Sequence, residues 1–206
     1  MLFPIGRKKL RLPENMKVVH GRNFEYSDLD EYIDTTYFRL IHHLKNIEAF
    51  ELKESYEIKT VEISSEVEEV IYIINNSYED IKINKSQVEG WTTDQVYDEN
   101  LRGFIIDKER NKPAALGIAD FHKELKEGTL EWIQVLPEYR SKGLGQVLVK
   151  ELLHRSMGKA DFVTVSGKCS NATKTEKVYR KCGFEGNDIW HVMYKKEMTD
   201  KDNKHV

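Results

Sequence analysis

The 206 residues, 39% of them hydrophobic, are enough for one domain with a core of its own, or for one domain and an extension. With 32 Lys and Arg against 35 Asp and Glu the net charge is −3, which excludes nucleic-acid binding by bulk positive charge, and the composition excludes the disordered and collagenous classes. Two cysteines, Cys169 and Cys182, supply neither a disulfide scaffold nor a CxxC metal pair, so no metal is expected. No apolar run approaches the ~18 residues of a membrane span. The basic residues Arg7, Lys8 and Lys9 follow the short apolar stretch at the start, the reverse of a secretory signal. A cytoplasmic chain with neither a nucleic-acid nor a membrane partner is the expectation.

In chain order, residues 1–22 carry six basic residues against Glu14, and Pro4 and Pro13 interrupt any helix. Ser27 to Asp30 reads as a helix start with Leu29, Tyr32 and Ile33 on one face. Thr36 to Leu44 is ambiguous between strand and helix, and 46–55 is polar and irregular. The division is therefore an N-terminal extension of uncertain structure over 1–54, a domain over 55–198 and a charged tail over 199–206.

From Tyr56 to Ile63 the residues alternate as in a half-buried strand. Ser65-x-x-Glu68 and Ser86-x-x-Glu89 read as capping boxes of two helices, the first carrying Val67, Val70, Ile71 and Ile74, the second Val88 and Trp91. Strands follow at 102–107, 114–121 and 129–136, separated by charged turns. Pro137 ends the third. A helix is predicted over 143–157, a strand at 162–165, a helix over 175–181 stopped by Gly183, and a last strand over 189–194. Short turns followed by crossover helices predict a mixed α/β (α+β) fold, a mostly antiparallel twisted sheet flanked by helices.

The stretch Gln134-Val135-Leu136-Pro137-Glu138-Tyr139-Arg140-Ser141-Lys142-Gly143-Leu144-Gly145-Gln146 carries the chemistry. A strand ends at a proline, and a basic, glycine-containing turn opens a long amphipathic helix. Glycines let successive N–H groups face inward, and the helix N-terminus adds about half a positive charge at the same place. Arg140 and Lys142 add mobile charge. A pyrophosphate suits this cradle. The third glycine of a Rossmann turn and the Gly-Lys-Ser/Thr of a Walker loop are both absent.

Arg140-x-x-Gly143-x-Gly145 resembles motif A of the GNAT superfamily of acetyltransferases, and Asn171 with Val178-Tyr179-Arg180-Lys181-Cys182-Gly183-Phe184 resembles its motif B. The likeness covers residues 56–196 and implies an acetyl-CoA-dependent N-acetyltransferase acting on a primary amine of a small molecule or peptide. By that resemblance the 129–136 strand splays from the 162–165 strand. Gln134, Val135 and Leu136 line the pantetheine arm, a strand N–H near Val135 receives the oxyanion, and residues Arg140 to Gln146 with Asn171 hold the rest of the cofactor. Tyr179 is the implied general acid. Glu131 is the candidate base, with His191 competing. Trp91, Tyr97, Trp190 and His191 are candidate acceptor contacts, three of them forming an aromatic wall. Direct attack in a ternary complex is expected, since neither cysteine is an evident nucleophile. A non-catalytic CoA sensor or a partner-docking module is the alternative, and a homodimer is the candidate assembly.

Overall fold

The computed structural model describes residues 12–77, 81–170 and 175–196. One eight-stranded sheet runs through them in the order β1-β8-β2-β7-β6-β5-β4-β3. In chain order the strands are β1 (Met16–His20), β2 (Tyr32–His42), β3 (Tyr56–Thr60), β4 (Arg102–Asp107), β5 (Lys112–His122), β6 (Glu127–Val135), β7 (Phe162–Lys168) and β8 (Glu185–Lys195). The helices are α1 (Asp28–Glu31), α2 (Ile63–Ser77), α3 (Lys85–Trp91), α4 (Leu144–Ser156) and α5 (Thr175–Lys181). Every pairing is antiparallel except β6 with β7, which are joined by the crossover helix α4. The mixed, mostly antiparallel architecture is the expected one. Among the described residues no helix is long and apolar enough to cross a membrane.

Two hydrophobic groups fill the interior. One joins α2, α3 and part of α4 to β4 and β5 through Val70, Ile73, Ile74, Val88, Phe104, Leu116 and Leu148. The other joins α4 and α5 to β6, β7 and β2 through Leu130, Leu152, Leu153, Val163, Val165 and Phe38. α4 lies close on β5 because Gly117 has no side chain there: a Cβ would stand 3.1 Å from Leu152 Cδ1 and 3.2 Å from Leu148 Cδ2.

The first 54 residues hold the main departure from the pattern read in the sequence. Tyr32 and Ile33, expected on a helix face, begin β2 instead; α1 is four residues long and ends before them. The helix pattern loses because Phe38, Leu40 and His42 alternate into the interior with period two. β2 sits between β7 and β8, paired with both. Its seat is shaped for it, since a Cβ on Gly167 of β7 would come within 2.7 Å of the Phe38 ring. β1 extends the same sheet beyond β8. Much of the segment read as an extension of uncertain structure thus contributes strands to the sheet that carries the site.

The caps also shift. α3 begins two residues earlier than Ser86 implies, with Asn84 accepting from Gln87 N–H at 3.0 Å and Gln87 Oε1 accepting from Asn84 N–H at 3.0 Å. Asn84-x-x-Gln87 satisfies the same capping rule, and Asn84 has the extended backbone a cap requires. α2 starts at Ile63, and Glu66 closes back on Glu62 N–H at 2.9 Å with a non-helical φ of −121°.

Candidate active site

β6 has two unlike edges. Toward β5 it is paired from Glu127 to Val135. Toward β7 it is paired only from Glu127 to Leu130, opposite Phe162 to Val165. Beyond that point the two parallel strands separate, and 131–135 of β6 face a gap. Glu131 stands at the fork. It is also the extra residue of a bulge, because Ile118 opposes Trp132 while Ala119 opposes Leu130. The bulge puts Leu130 and Trp132, two residues apart, on opposite faces: Leu130 packs with the α4 and α5 core, and Trp132 stacks on Trp91 of α3 at 6.1 Å.

The backbone above the fork follows from alternation. Leu136 N–H donates to Ala114 O of β5 at 3.1 Å, so the N–H and C=O of the preceding Val135 face away from β5 and into the gap. Consistently, Val135 O accepts from Arg140 Nε at 3.3 Å. Ile133, two residues earlier, shares that orientation.

The turn that follows holds Ser141 at φ 63° and Gly143 at φ 82°, both in the left-handed region. Gly143 is the N-cap of α4 and offers no side chain, so the leading amides of that helix have no side-chain acceptor competing for them. A Cβ on Gly143 would meet nothing within 4 Å, which leaves the space before the helix terminus open. Arg140 is not the mobile cation expected. Its guanidinium bonds the last carbonyl of α2, Ser77 O, as well as Val135 O, and so ties the turn to α2 and to the splayed strand. Lys142 places Nζ 4.8 Å from the centre of the Tyr139 ring. Tyr139 is buried, donates its hydroxyl to Asp107 Oδ2 at 2.9 Å and accepts from Arg110 Nη1 at 3.1 Å. Burial pushes the Tyr139 phenol above its ordinary pKa, with the Asp107 carboxylate adding to the effect. Burial alone would raise the Asp107 carboxyl, but bonds from Tyr139 and the N–H groups of Arg110 and Glu109 outweigh it and hold the group low.

The gap and the turn form one cleft of about 420 Å³. Of the expected cofactor residues, Val135, Arg140, Ser141, Gly143, Leu144, Gly145 and Gln146 line it, and so does Tyr179. Gln134 and Leu136 do not: both are buried and their backbone faces β5, as strand alternation demands of the neighbours of Val135. The Lys142 side chain leans on Tyr139 instead of into the cleft. Asn171 lies outside the described residues. Ile133, Thr175 and Val178 also line the cleft, beyond the residues expected from the sequence. Period two from Val135, and helical spacing around Tyr179, were the signals available.

Tyr179 is buried at the cleft wall, its ring 6.3 Å from Phe38 of β2 and 5.9 Å from Phe184. Cys182, one turn of helix further, is outside the cleft lining, and burial pushes its thiol up to about 11.

The expected acceptor contacts do not converge. Trp91 packs on Trp132. Tyr97 lies under the Arg102 guanidinium at 4.0 Å and borders a cavity between α2 and α3. Trp190 is on β8, opposite Tyr37 of β2 and edge-on to His20 at 5.0 Å. Two strands, β7 and β2, intervene between β8 and the strand carrying Trp132, so the aromatic wall does not form. His191 bonds Asp34 Oδ2 at 2.7 Å and stacks on Phe24 at 3.8 Å, in a cavity of about 640 Å³ between β8 and the segment 20–34. That cavity shares no lining residue with the cleft.

Residues 99–186 match the family model described as acetyltransferase (GNAT) domain. Over those residues, somewhat under half of its length, the chain is similar to the GNAT acetyltransferases. No curated protein sequence matches it. Among solved structures, a GCN5-related N-acetyltransferase from Sphaerobacter thermophilus is 13% identical with a TM-score of 0.69, over 81% of this chain and 53% of that one. This chain therefore spans about half the length of that structure. The ribosomal-protein-S18-alanine N-acetyltransferase from Escherichia coli is 19% identical with a TM-score of 0.54, over 73% of this chain and 98% of that one. Glucosamine-6-phosphate N-acetyltransferase from Arabidopsis thaliana is 18% identical with a TM-score of 0.51, over 71% and 98%. At such identities these structures establish the fold.

Proposed function

We propose that this chain is an acetyl-CoA-dependent N-acetyltransferase that passes the acetyl group directly to a primary amine. The observation that carries the reading is the fork after Leu130 and Val165, with a cleft running from it to the left-handed Gly143 turn. The residues present fit the cofactor. Gly143 leaves open the space a side chain would fill, and the unobstructed start of α4 offers N–H groups and a positive dipole end to a pyrophosphate. Val135 and Ile133 turn backbone groups toward the gap, where an amide-bearing arm can pair as an added strand does. Acetyl-CoA supplies an activated thioester when bound.

The chain's own residues supply the remaining functions. Val135 N–H is positioned to donate to a developing oxyanion, and being fixed in the strand it needs no reorganisation. Tyr179 is the proton donor to the departing thiolate. Glu131, at the fork, takes the proton from the incoming ammonium, directly or through water. Cys182 plays no covalent part, because a thiol titrating near 11 is protonated at neutral pH. The acceptor is a small-molecule or peptide amine.

The test is release of CoA from acetyl-CoA across a panel of primary amines that includes an amino sugar phosphate and a free peptide N-terminus. Amine-dependent release supports the transferase. Tight acetyl-CoA binding with no amine-dependent release would favour a CoA sensor.

A further inference from the structure

The pyrophosphate turn accounts for part of the negative charge of the proposed cofactor. CoA also carries a 3′-phosphomonoester on its ribose, with up to two further charges. The cradle amides and the start of α4 are aimed at one place, and Arg140 is committed to Ser77 O and Val135 O. A second anion needs other cations.

Two stand on the Tyr139 side of the turn. Lys142 Nζ lies 4.8 Å from the Tyr139 ring centre and the Arg110 guanidinium carbon 5.7 Å from it. Arg110 also donates to the Tyr139 hydroxyl, while its carboxylate neighbour Asp107 is occupied by that hydroxyl and by two backbone N–H groups. Asp107 Oδ2 remains 3.9 Å from Arg110 Nε, so it orients the guanidinium more than it covers it. The Arg110 side chain is 63% exposed, with donors left for a ligand. Tyr139 itself borders the cleft, so it joins this pair of cations to the cradle.

We infer that Lys142 and Arg110, gathered on Tyr139, form a subsite for the ribose 3′-phosphate and make the protein distinguish CoA from 3′-dephospho-CoA. The inference rests on the proposed use of CoA. A planar guanidinium and a point-like ammonium suit a phosphomonoester together, one by paired hydrogen bonds and the other by charge. Their position explains why a positively charged residue at 142 leans on an aromatic ring instead of into the cleft.

The experiment is calorimetric titration of the full chain with CoA and with 3′-dephospho-CoA, so the readout is a ratio of dissociation constants and not turnover. The wild type is expected to bind CoA about tenfold more tightly, the usual scale of one charge-assisted phosphate contact. Arg110→Gln and Lys142→Gln should each lower that ratio, and the double variant should bring it close to one. Lys177→Gln, on the exposed face of α5, should leave the ratio as in the wild type. The subsite is overturned if the wild type binds both compounds equally, if the double variant keeps the wild-type ratio, or if Lys177→Gln removes it. In those three cases CoA still binds and the acetyltransferase reading stands. If neither compound binds, that reading falls as well.

Discussion

The residues singled out on the cofactor side and those singled out on the acceptor side met different fates. Val135, Tyr179 and the Arg140 to Gln146 turn apart from Lys142 come together around one cleft, while Gln134 and Leu136 face β5. Trp91, Tyr97, Trp190 and His191 go to separate places: a stack on Trp132, a cavity edge beside α3, and β8, next to the edge strand β1. The cofactor side is built from backbone. A strand that leaves its neighbour, a left-handed glycine and a helix start impose their residue types locally, and those types are visible at fixed spacing. The acceptor side is built from side chains on elements far apart in sequence, and nothing local fixes which of them meet.

The largest expected effect tests how far the N-terminal segment belongs to this arrangement. Deleting residues 1–54 removes β1 and β2 and exposes the seats of Phe38 and Leu40, each worth about 1.5–3 kcal/mol of burial. Against a typical stability of about 5–15 kcal/mol, the truncated chain should fail to give a soluble, cooperatively melting protein. A truncated domain that melts like the full chain would make the segment a dispensable extension.

Next in size is Tyr179→Phe. Loss of a general acid should lower kcat by about a hundredfold while acetyl-CoA affinity stays close to that of the wild type. An unchanged kcat would leave Tyr179 as a packing residue against Phe38 and Phe184. His191→Asn separates the two sides of the comparison. His191 is held by Asp34 and Phe24 in a cavity that shares no lining with the cleft, so the variant should lose about 1–3 kcal/mol in thermal or denaturant unfolding with kcat nearly preserved. A fall in kcat at unchanged stability would instead give His191 the base role assigned to Glu131.

The smallest effect concerns the end of β2. His42 is buried, its Nδ1 accepts from Leu44 N–H at 2.9 Å, and burial lowers its pKa. The folded state therefore binds a proton at this site less readily than the unfolded chain. Its contribution is complete above the unfolded value near 6.5 and is lost as pH falls below it. Melting temperature should drop between about pH 7 and 5 more steeply in the wild type than in His42→Asn, whose amide oxygen can replace Nδ1. Parallel pH profiles would remove His42 as the cause.

Much of the sheet is legible in the sequence. Alternation marks β3 to β6, and the turn after Pro137 marks the cleft. What is not legible has specific causes. Ser27 to Ile33 reads as an amphipathic helix start, and only the long-range pairing of β2 with β7 and β8 makes a strand of Tyr32 and Ile33. Gln134 and Leu136 share the motif with Val135, but the direction of a strand's N–H groups is decided by which neighbour it pairs with, here β5. Arg140 reads as a free cation until the last carbonyl of α2 is brought to it by the fold.

The central claim is that the open space before Gly143 is where acetyl-CoA is held. Isothermal titration of acetyl-CoA into the wild type and into Gly143→Glu tests it most directly. The glutamate would place a side chain and a negative charge in the cradle at a φ of 82°, a region that costs an L-residue about 1–2 kcal/mol. The wild type is expected to bind one equivalent and the variant none, with both proteins folded by circular dichroism. Equal binding by the two, or no binding by the folded wild type, would contradict it.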